Sequence, residues 1–286
     1  MMESQLLMAG PWTGQLRNVE KLGAAFAPLC HHDHGEHSLY GDGGLNFEHI
    51  FNGTAADHDA AWFTPRTDAH HIDTKSDATA FIVHDAPAST WAAESRMTYT
   101  LTATGVDLQF RVRFHEERFP LGWIGMMWAS YMAGAQDRRL HFYGTCDGVE
   151  GWTCLGEETE EGFETGTVAA LGVEALPVEE GAALLNVVEN PRKRFLDPVC
   201  YGLLDDGHAY VMMFDHTEAI RLAMWNFVED ESGNPDPARP AWDWQFVVRE
   251  PELHHWYGYR ARILVVPFTT ADDIRRLYLD WSGDRG

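Results

Sequence analysis

Residues 97 to 115 read MTYTLTATGVDLQFRVRFH, and this stretch decides the fold class. Apolar and polar side chains alternate from Met97 to Thr104 and again from Val106 to His115, on either side of Gly105. Strict alternation is the pattern of a strand with one buried face, and a glycine between two such runs marks a turn. The stretch therefore predicts a β-hairpin.

Strand-like runs continue along the rest of the chain, separated by segments rich in glycine, proline and aspartate. They cover Trp123 to Tyr131, Arg139 to Tyr143, Gly166 to Leu171, Ala183 to Val188, Val199 to Leu204, Ala209 to Phe214, Ala219 to Phe227, Trp242 to Arg249 and Tyr257 to Val266. One helix is predicted after Thr269 or Thr270, since either residue can cap it. The acidic stretch Glu157 to Glu164 is predicted to be a solvated loop.

So many antiparallel strands require two stacked sheets or a barrel, because a flat open sheet would leave long edges exposed. The sequence therefore predicts an all-β protein, a large antiparallel double-sheet sandwich with one C-terminal helix. We expect it to form a single domain over residues 1–286.

The charge balance narrows the classes of partner. Asp and Glu number 44 against 21 Lys and Arg, which gives a formal net charge of −23. Such a chain repels phosphate backbones and anionic lipids, so we expect no nucleic-acid and no membrane partner. No apolar run approaches the roughly 18 residues of a membrane span, and the first residues lack a secretory signal pattern. Four widely spaced cysteines favour reduced thiols and a cytoplasmic location.

The segment Cys30 to His49, CHHDHGEHSLYGDGGLNFEH, concentrates histidines and carboxylates among glycines. Imidazole transfers protons near neutral pH and also binds metals, so the segment predicts a ligand or catalytic site. His34 and Glu48 are the candidate catalytic groups here, and the candidate substrate-binding groups are His31, His32, His37 and Asn46. A metal held by His32, His34 and His37 is one alternative. A polar loop whose imidazoles bond to backbone carbonyls is the other.

A second group of candidates surrounds the run GWIGMMWASYM. Tyr131 and Trp152 could stack on a sugar ring, and His141 in RLHFY could act as an acid or base. Large aromatic residues also fill cores, so burial in the core is the competing interpretation for this region.

The third group lies near the C-terminus. In AWDWQFVV, Asp243 and Gln245 share one strand face, while Trp242, Trp244 and Phe246 occupy the other. The aromatic face should be the core face, which leaves Asp243 as a candidate base at the mouth of a cleft. Gln245 and the nearby Asn226 are then candidate substrate-binding groups. An Asp243 that is solvated, or paired with Arg260 or Arg262, is the alternative.

The runs GGLNFEHIFNG, FPLGWIGMMWASYM, RRLHFYG and PAWDWQFVVREPELHHWYGYRARILVVPF resemble an uncharacterised group of bacterial proteins with the galactose-mutarotase-like β-supersandwich. Aldose epimerases, several polysaccharide lyases and glycosidases share this fold. The resemblance implies a His general acid and a carboxylate base acting on a sugar. His141 could be the acid, and Glu36, Glu48 or Asp243 the base.

The leading hypothesis is a protein that binds or processes carbohydrate, with acid/base chemistry on a small sugar or oligosaccharide in a cleft and no required cofactor. One alternative is an enzyme that depends on a divalent metal held by the His-rich loop, residues 31–49. The other is a sugar-recognition module without catalysis. All three versions rest on the histidine segment, His141 and Asp243 meeting in one hollow.

Overall fold

The computed structural model describes residues 4–35, 37–55, 63–160, 162–182 and 189–283. The described chain is built mainly from strands, which are, in order, β1 (Ser4–Ala9), β2 (Trp12–Val19), β3 (Gly23–His31), β4 (Asn46–Phe51), β5 (His70–Ser76), β6 (Thr79–His84), β7 (Ala93–Leu101), β8 (Val106–Phe114), β9 (Trp123–Ala129), β10 (Leu140–Cys146), β11 (Val149–Leu155), β12 (Glu158–Thr159), β13 (Gly162–Phe163), β14 (Gly166–Ala169), β15 (Lys193–Leu203), β16 (His208–Phe214), β17 (Ile220–Trp225), β18 (Ala241–Arg249) and β19 (Tyr257–Pro267). Within these ranges the chain also forms two α-helices, α1 (Thr64–Thr67) and α2 (Ala271–Gly283).

Two large antiparallel sheets form the body of the fold. One has nine strands in the order β11-β10-β15-β16-β19-β8-β7-β6-β5, and the other has five in the order β14-β17-β18-β9-β4. Two smaller sheets are also present among the described residues, one of three strands in the order β1-β2-β3 and one formed by the short pair β12-β13. The predicted all-β double-sheet sandwich with a C-terminal helix is confirmed.

Aromatic side chains fill the space between the two large sheets. Phe110 of the nine-stranded sheet packs edge-on against Trp128 of the five-stranded sheet, with ring centroids 4.6 Å apart. Trp128 stacks in turn on Trp244 at 5.7 Å, and Tyr259 contacts Trp128 at 5.3 Å. These rings are fully or almost fully buried. Burial of large apolar faces supplies the main stabilisation of a sandwich.

The hairpin predicted from residues 97 to 115 is present as β7 and β8. Its apolar residues, such as Met97 and Phe110, face the core. The turn closes through the Thr102 amide, which donates to the Gly105 carbonyl at 2.8 Å. A Cβ at Gly105 would lie 2.5 Å from the Ile263 carbonyl oxygen, so this turn requires glycine.

All the other predicted strands within the described ranges are confirmed, while the Ala183 to Val188 run lies outside the described residues. The strands β1 to β6, before residue 93, were not predicted. The predicted His-rich loop from Cys30 to His49 also contains the end of β3 and the first four residues of β4. Glycine, proline and histidine interrupt the alternation in this part of the chain, which hides the strand pattern.

The C-terminal helix α2 begins after Thr270, whose hydroxyl accepts from the Asp273 amide at 3.2 Å, so the predicted cap is confirmed. Ile274 buries itself against the outer face of the nine-stranded sheet, with Val199, Val211 and Leu264. The helix therefore covers the side of this sheet that faces away from the sandwich core. No helix among the described residues is long and apolar enough to cross a membrane.

The acidic stretch after β11 differs from its prediction. Two of its carboxylates, Glu157 and Glu164, bind the ammonium of Lys193 at 2.5 and 2.6 Å. The Lys193 side chain is only 2% exposed and also donates to the Cys154 carbonyl at 2.7 Å. The stretch is therefore anchored by a buried cation.

The four cysteines are free thiols.

Candidate functional site

The face of the five-stranded sheet that points away from the core carries an unusual number of buried polar side chains. We call it the distal face. On β18, Trp242, Trp244 and Phe246 belong to the core cluster, so Asp243 and Gln245 point to the distal face, as the alternation predicted. Both are essentially inaccessible to solvent. Buried polar groups need partners, and these come from β4, β9, β17 and α1.

A bulge in β4 brings two reactive side chains to this face. Phe47 pairs with Trp128 and Ile50 pairs with Met126, and both apolar residues belong to the core cluster. The two residues between them, Glu48 and His49, share the space opposite the single residue Met127. Bulges of this kind re-aim side chains beside functional sites. Here the bulge adds a carboxylate and an imidazole to a strand that otherwise alternates.

Glu48 lies in a network with Arg66 and Tyr131. The Arg66 guanidinium forms an ion pair with Glu48 Oε1 and donates to the Tyr131 hydroxyl at 2.8 Å. Tyr131 donates to Glu48 Oε1 at 2.6 Å, and His49 Nε2 is 3.5 Å from Glu48 Oε2. Arg66 Nε also donates to Asn46 Oδ1 at 3.2 Å. The Glu48 side chain is 5% exposed, so the ion pair with Arg66 holds it as a buried carboxylate.

The one-turn helix α1 positions the arginine. Its first turn contains Pro65, whose fixed φ favours the start of a helix, and Arg66 follows directly. The Asn46 side chain bridges to the backbone on its other side, where its amide donates to the carbonyls of Leu22 and Ala24. The Arg66 side chain is therefore fixed from both β4 and α1, which suits a preorganised site.

Asp243 is the second acid of the distal face. Its Oδ1 accepts from the Ser130 amide at 2.9 Å. Burial raises the pKa of Asp243 to about 8, although the Ser130 amide and the nearby Arg66 charge act in the opposite direction. Asp243 is thus mainly protonated at neutral pH. The distal face therefore combines a carboxyl group whose burial favours the protonated form with a second carboxyl group, Glu48, that is paired with Arg66, and such a difference in environment suits an acid and a base in one site.

Partly exposed aromatic side chains connect this cluster to solvent. The ring of Phe63, 49% exposed, packs on the imidazole of His49 at 4.4 Å. The Arg66 guanidinium lies 5.0 Å from the same ring. Tyr131 is half-buried, and burial raises its pKa to about 12, so it stays a hydrogen-bond donor. Flat rings beside hydroxyl and carboxyl groups are suited to the two faces of a sugar.

A second ion-paired group lies further along the distal face. Arg221 of β17 donates to Glu189 at 2.9 Å and contacts Gln245 Oε1 at 3.4 Å. Arg194 binds the other oxygen of Glu189 at 2.6 Å. Burial lowers the pKa of Arg221 to about 10, which still leaves it charged at neutral pH. Gln245, a predicted substrate-binding residue, is therefore part of this second group.

Several predicted site residues lie elsewhere. His141 stacks on Tyr201 at 4.9 Å, and Trp152 contacts the same tyrosine at 5.6 Å, on the outer face of the nine-stranded sheet. The Trp152 indole donates to Asp272 of helix α2 at 3.0 Å. Burial, helped by Arg139, lowers the pKa of His141 to about 4, so it is neutral at pH 7. His141 and Asp243 occupy opposite outer faces of the sandwich, and the expectation that they share a hollow is wrong.

The predicted histidine cluster also separates. The His32 side chain is 86% exposed and His37 is exposed, whereas His31 is buried against Trp12 at the end of β3. His34 turns toward Asp206, 2.6 Å away. The predicted metal set of His32, His34 and His37 is therefore not assembled. Glu36 lies outside the described residues.

Asn226, Arg260 and Arg262 make contacts other than the predicted ones. The Asn226 amide donates to the Asp236 carbonyl at 3.0 Å and so anchors the loop after β17. Arg260 and Arg262 lie on the nine-stranded sheet, where they pair with Asp215 and Asp107 instead of Asp243. Their strand, β19, belongs to the other sheet, which sequence adjacency does not reveal.

Sequence reasoning missed Arg66 as the partner of Glu48 and Ser130 as the partner of Asp243. Arg66 was not among the predicted site residues, and it reaches Glu48 from helix α1. Nothing in the sequence around Arg66 signals its contact with β4. The only clue in the sequence is general: a buried carboxylate needs a cation as its partner.

Solved structures identify the fold. A protein from Escherichia coli K12 described as a "Putative aldose 1-epimerase" matches with a TM-score of 0.56 and 10% identity, over 94% of this chain and 100% of that chain. An α-N-acetylgalactosaminidase from Bifidobacterium bifidum matches with a TM-score of 0.55 and 11% identity, over 99% of this chain but only 39% of that enzyme. The chain has the galactose-mutarotase-like fold that the resemblance implied. No protein-family model and no curated protein matches the sequence.

Proposed function

We propose that the chain binds a neutral sugar at the distal face and interconverts its anomers, with Asp243 as the acid and Glu48 as the base. The observation that carries the proposal is geometric: two buried carboxyl groups lie close to one guanidinium, Glu48 in an ion pair with Arg66 and Asp243 near enough to interact with its charge. The fold match to the protein described as an aldose 1-epimerase supports it, because the match spans that whole chain.

The reaction requires two proton transfers on one hemiacetal. Glu48 takes the proton of the anomeric hydroxyl while Asp243 donates its proton to the ring oxygen, so the ring C–O bond breaks and a carbonyl forms. Rotation about the single bond between the aldehyde carbon and the next carbon presents the other face of the carbonyl, and the reverse transfers then close the other anomer and restore both groups. Arg66 stabilises the Glu48 carboxylate before the reaction and Tyr131 orients it. These steps use only side chains of the chain.

Access to the site depends on its aromatic cover. Asp243 is 1% exposed and Glu48 is 3% exposed, so a sugar reaches them only when neighbouring side chains move. We propose that Phe63 and Tyr131 move aside and then stack on the ligand. Their partial exposure gives them room to do so, and closure over the sugar excludes water from the acid and base.

The test is anomer interconversion, followed by polarimetry and NMR exchange, with a panel of neutral aldoses. The variant Asp243→Asn keeps the acceptor for Ser130 but cannot donate a proton to the ring oxygen. We expect its rate to fall by about 100-fold or more, the usual effect of losing a general acid. The control Asp107→Asn removes a carboxylate paired with an arginine on the other sheet and should leave the rate unchanged.

A second candidate function is recognition of a sugar without turnover. The buried Glu48–Arg66 ion pair favours it, because a carboxylate held this firmly can serve as a fixed hydrogen-bond acceptor. Calorimetry on the same panel separates the two functions. Saturable binding with no interconversion by the wild-type protein would support recognition, and neither binding nor interconversion would overturn both.

A further inference from the structure

Three side chains that can ligate a metal converge where the turn after β3 meets the turn between β15 and β16. Nδ1 of His34 lies 2.6 Å from Asp206 Oδ2, and Nδ1 of His208 lies 2.9 Å from the same oxygen. The three candidate ligand atoms all lie within 4.8 Å of one another. None of the three residues has a role in the chemistry proposed for the distal face.

The backbone holds each ligand in place. Gly207 adopts a φ of 87°, which lets the turn reverse so that Asp206 and His208 face the same side. The His208 amide donates to Asp206 Oδ1 at 3.1 Å, so this oxygen is occupied and Oδ2 is left for the imidazoles. On the other segment, His34 ends a 3₁₀ turn that closes when the Gly35 amide donates to the His32 carbonyl at 3.1 Å. Ordered supports of this kind orient metal ligands.

Burial distinguishes this group from surface histidines. The His34 side chain is 6% exposed, that of His208 is 15% and that of Asp206 is 31%. A fourth residue, His31, is buried beside them, and its Nδ1 has no hydrogen-bond partner. This buried nitrogen is a further imidazole group beside the three candidate ligands.

We propose that His34, His208 and Asp206 bind one divalent transition-metal ion, which ties the turn after β3 to the β15–β16 turn. Two imidazole nitrogens and one carboxylate oxygen are a ligand set that zinc accepts, with bonds of about 2.0–2.2 Å. Each imidazole then carries its proton on Nε2, so that the Nδ1 lone pair faces the ion. The two imidazole nitrogens, now 2.6 and 2.9 Å from Asp206 Oδ2, move away from this oxygen by roughly 0.5–1 Å as the ion enters, because tetrahedral ligands lie further apart than hydrogen-bonded atoms.

The experiment uses untagged protein stripped with a chelator and titrated with zinc by calorimetry. Cobalt is the second probe, because its visible absorption reports nitrogen and oxygen ligands directly. We expect one ion per chain in the wild type. The variants His34→Gln and His208→Gln should weaken binding by at least about 10-fold and lose the cobalt signal.

The matched control is His32→Ala, which removes an exposed imidazole two residues from His34. It should bind zinc as the wild type does, and zinc should raise its melting temperature equally. Weak binding that exceeds one ion per chain, or equal loss in His32→Ala and His34→Gln, would overturn the proposal. Melting curves without metal show whether a variant is folded, and Asp206→Asn provides a third ligand variant if either histidine variant is not.

Discussion

Asp243 shows how the position of one side chain sets its chemistry. The residue lies on the polar face of an otherwise apolar strand, and its main partner is a backbone amide rather than a full ion pair. A buried carboxyl group with so little compensation keeps its proton. The same burial that makes Asp243 a candidate acid also costs stability once the pH rises.

The pH dependence of stability follows from this shift. The pKa of Asp243 is about 8 in the folded protein against an ordinary value of 3.8 for an aspartate, so the folded state binds the proton more tightly. Its contribution to stability is complete below the lower value and is lost as the pH rises toward about 8. Asp243→Asn lacks this loss. We expect the variant to gain stability relative to wild type, by more at about pH 9 than at about pH 5, in urea unfolding.

A difference between the two proteins that stays constant with pH would contradict this prediction. It would mean that Asp243 titrates alike in the folded and unfolded states, and the acid proposed for the sugar reaction would then be ionised at neutral pH.

At the scale of single residues, the sequence predicted which face of a strand a side chain occupies better than it predicted the partner of that side chain. Alternation in AWDWQFVV places Asp243 and Gln245 opposite the tryptophans because the period of a strand is two. The partner of Asp243 depends on which strand lies next to β18, and that strand is β9, more than a hundred residues earlier in the chain. Pairing of this kind is decided by the whole sheet.

At the scale of elements, Lys193 joins β15 to the segment that follows β11. Lys193→Met would leave Glu164, 18% exposed, without its cation. We expect the free energy of unfolding to fall by roughly 3 kcal/mol, because breaking a buried pair leaves an uncompensated charge. Amide exchange in β12 and β13 should also become faster, since Glu157 and Glu164 flank these strands.

The neighbouring Arg192→Met is the control for this prediction. Arg192 is 61% exposed and pairs with Asp147 on the surface, so its loss should change neither stability nor exchange. Equal effects of the two variants would show that Lys193 acts through general charge instead of its buried contacts.

Elements with regular alternation were predictable, while the irregular ones were not. The hairpin β7–β8 keeps one apolar face over its full length, and its sequence shows this directly. In contrast, β4 contains the Glu48–His49 bulge, and six buried residues in a row obscure its alternation. Glu48, the proposed base, therefore falls in a part of the strand pattern that the period rule cannot describe, unlike Asp243.

At the scale of the whole molecule, the sandwich places His141 and Asp243 on different surfaces, although both were predicted to line one hollow. His141 stacks on Tyr201 at the outer face of the nine-stranded sheet, and Asp243 lies on the distal face of the other sheet. His141→Ala should lower the free energy of unfolding by about 1 kcal/mol through loss of its stack on Tyr201. Affinity for any sugar that the wild type binds should stay unchanged in calorimetry. A weaker affinity with unchanged stability would place His141 in the site after all.

The general architecture was predictable because sheet number and strand pattern follow from burial, whereas the meeting points of distant segments do not. The resemblance supplied the fold, and the solved structures confirm it at about one residue in ten identical. His34 illustrates the limit. Its partners, Asp206 and His208, come from a turn some 170 positions further along the chain.

The bulge in β4 adds Glu48 and His49 to the strand without using them in the alternation that fills the core. Removing either Glu48 or His49 would restore plain alternation, with Asn46 and Phe51 on one side and Phe47 and the isoleucine still inserted between the sheets. Deletion of the Glu48 codon would thus remove the proposed base and spare the scaffold. The proposed base could therefore be gained or lost at this position without rebuilding the strand pairs on either side of it.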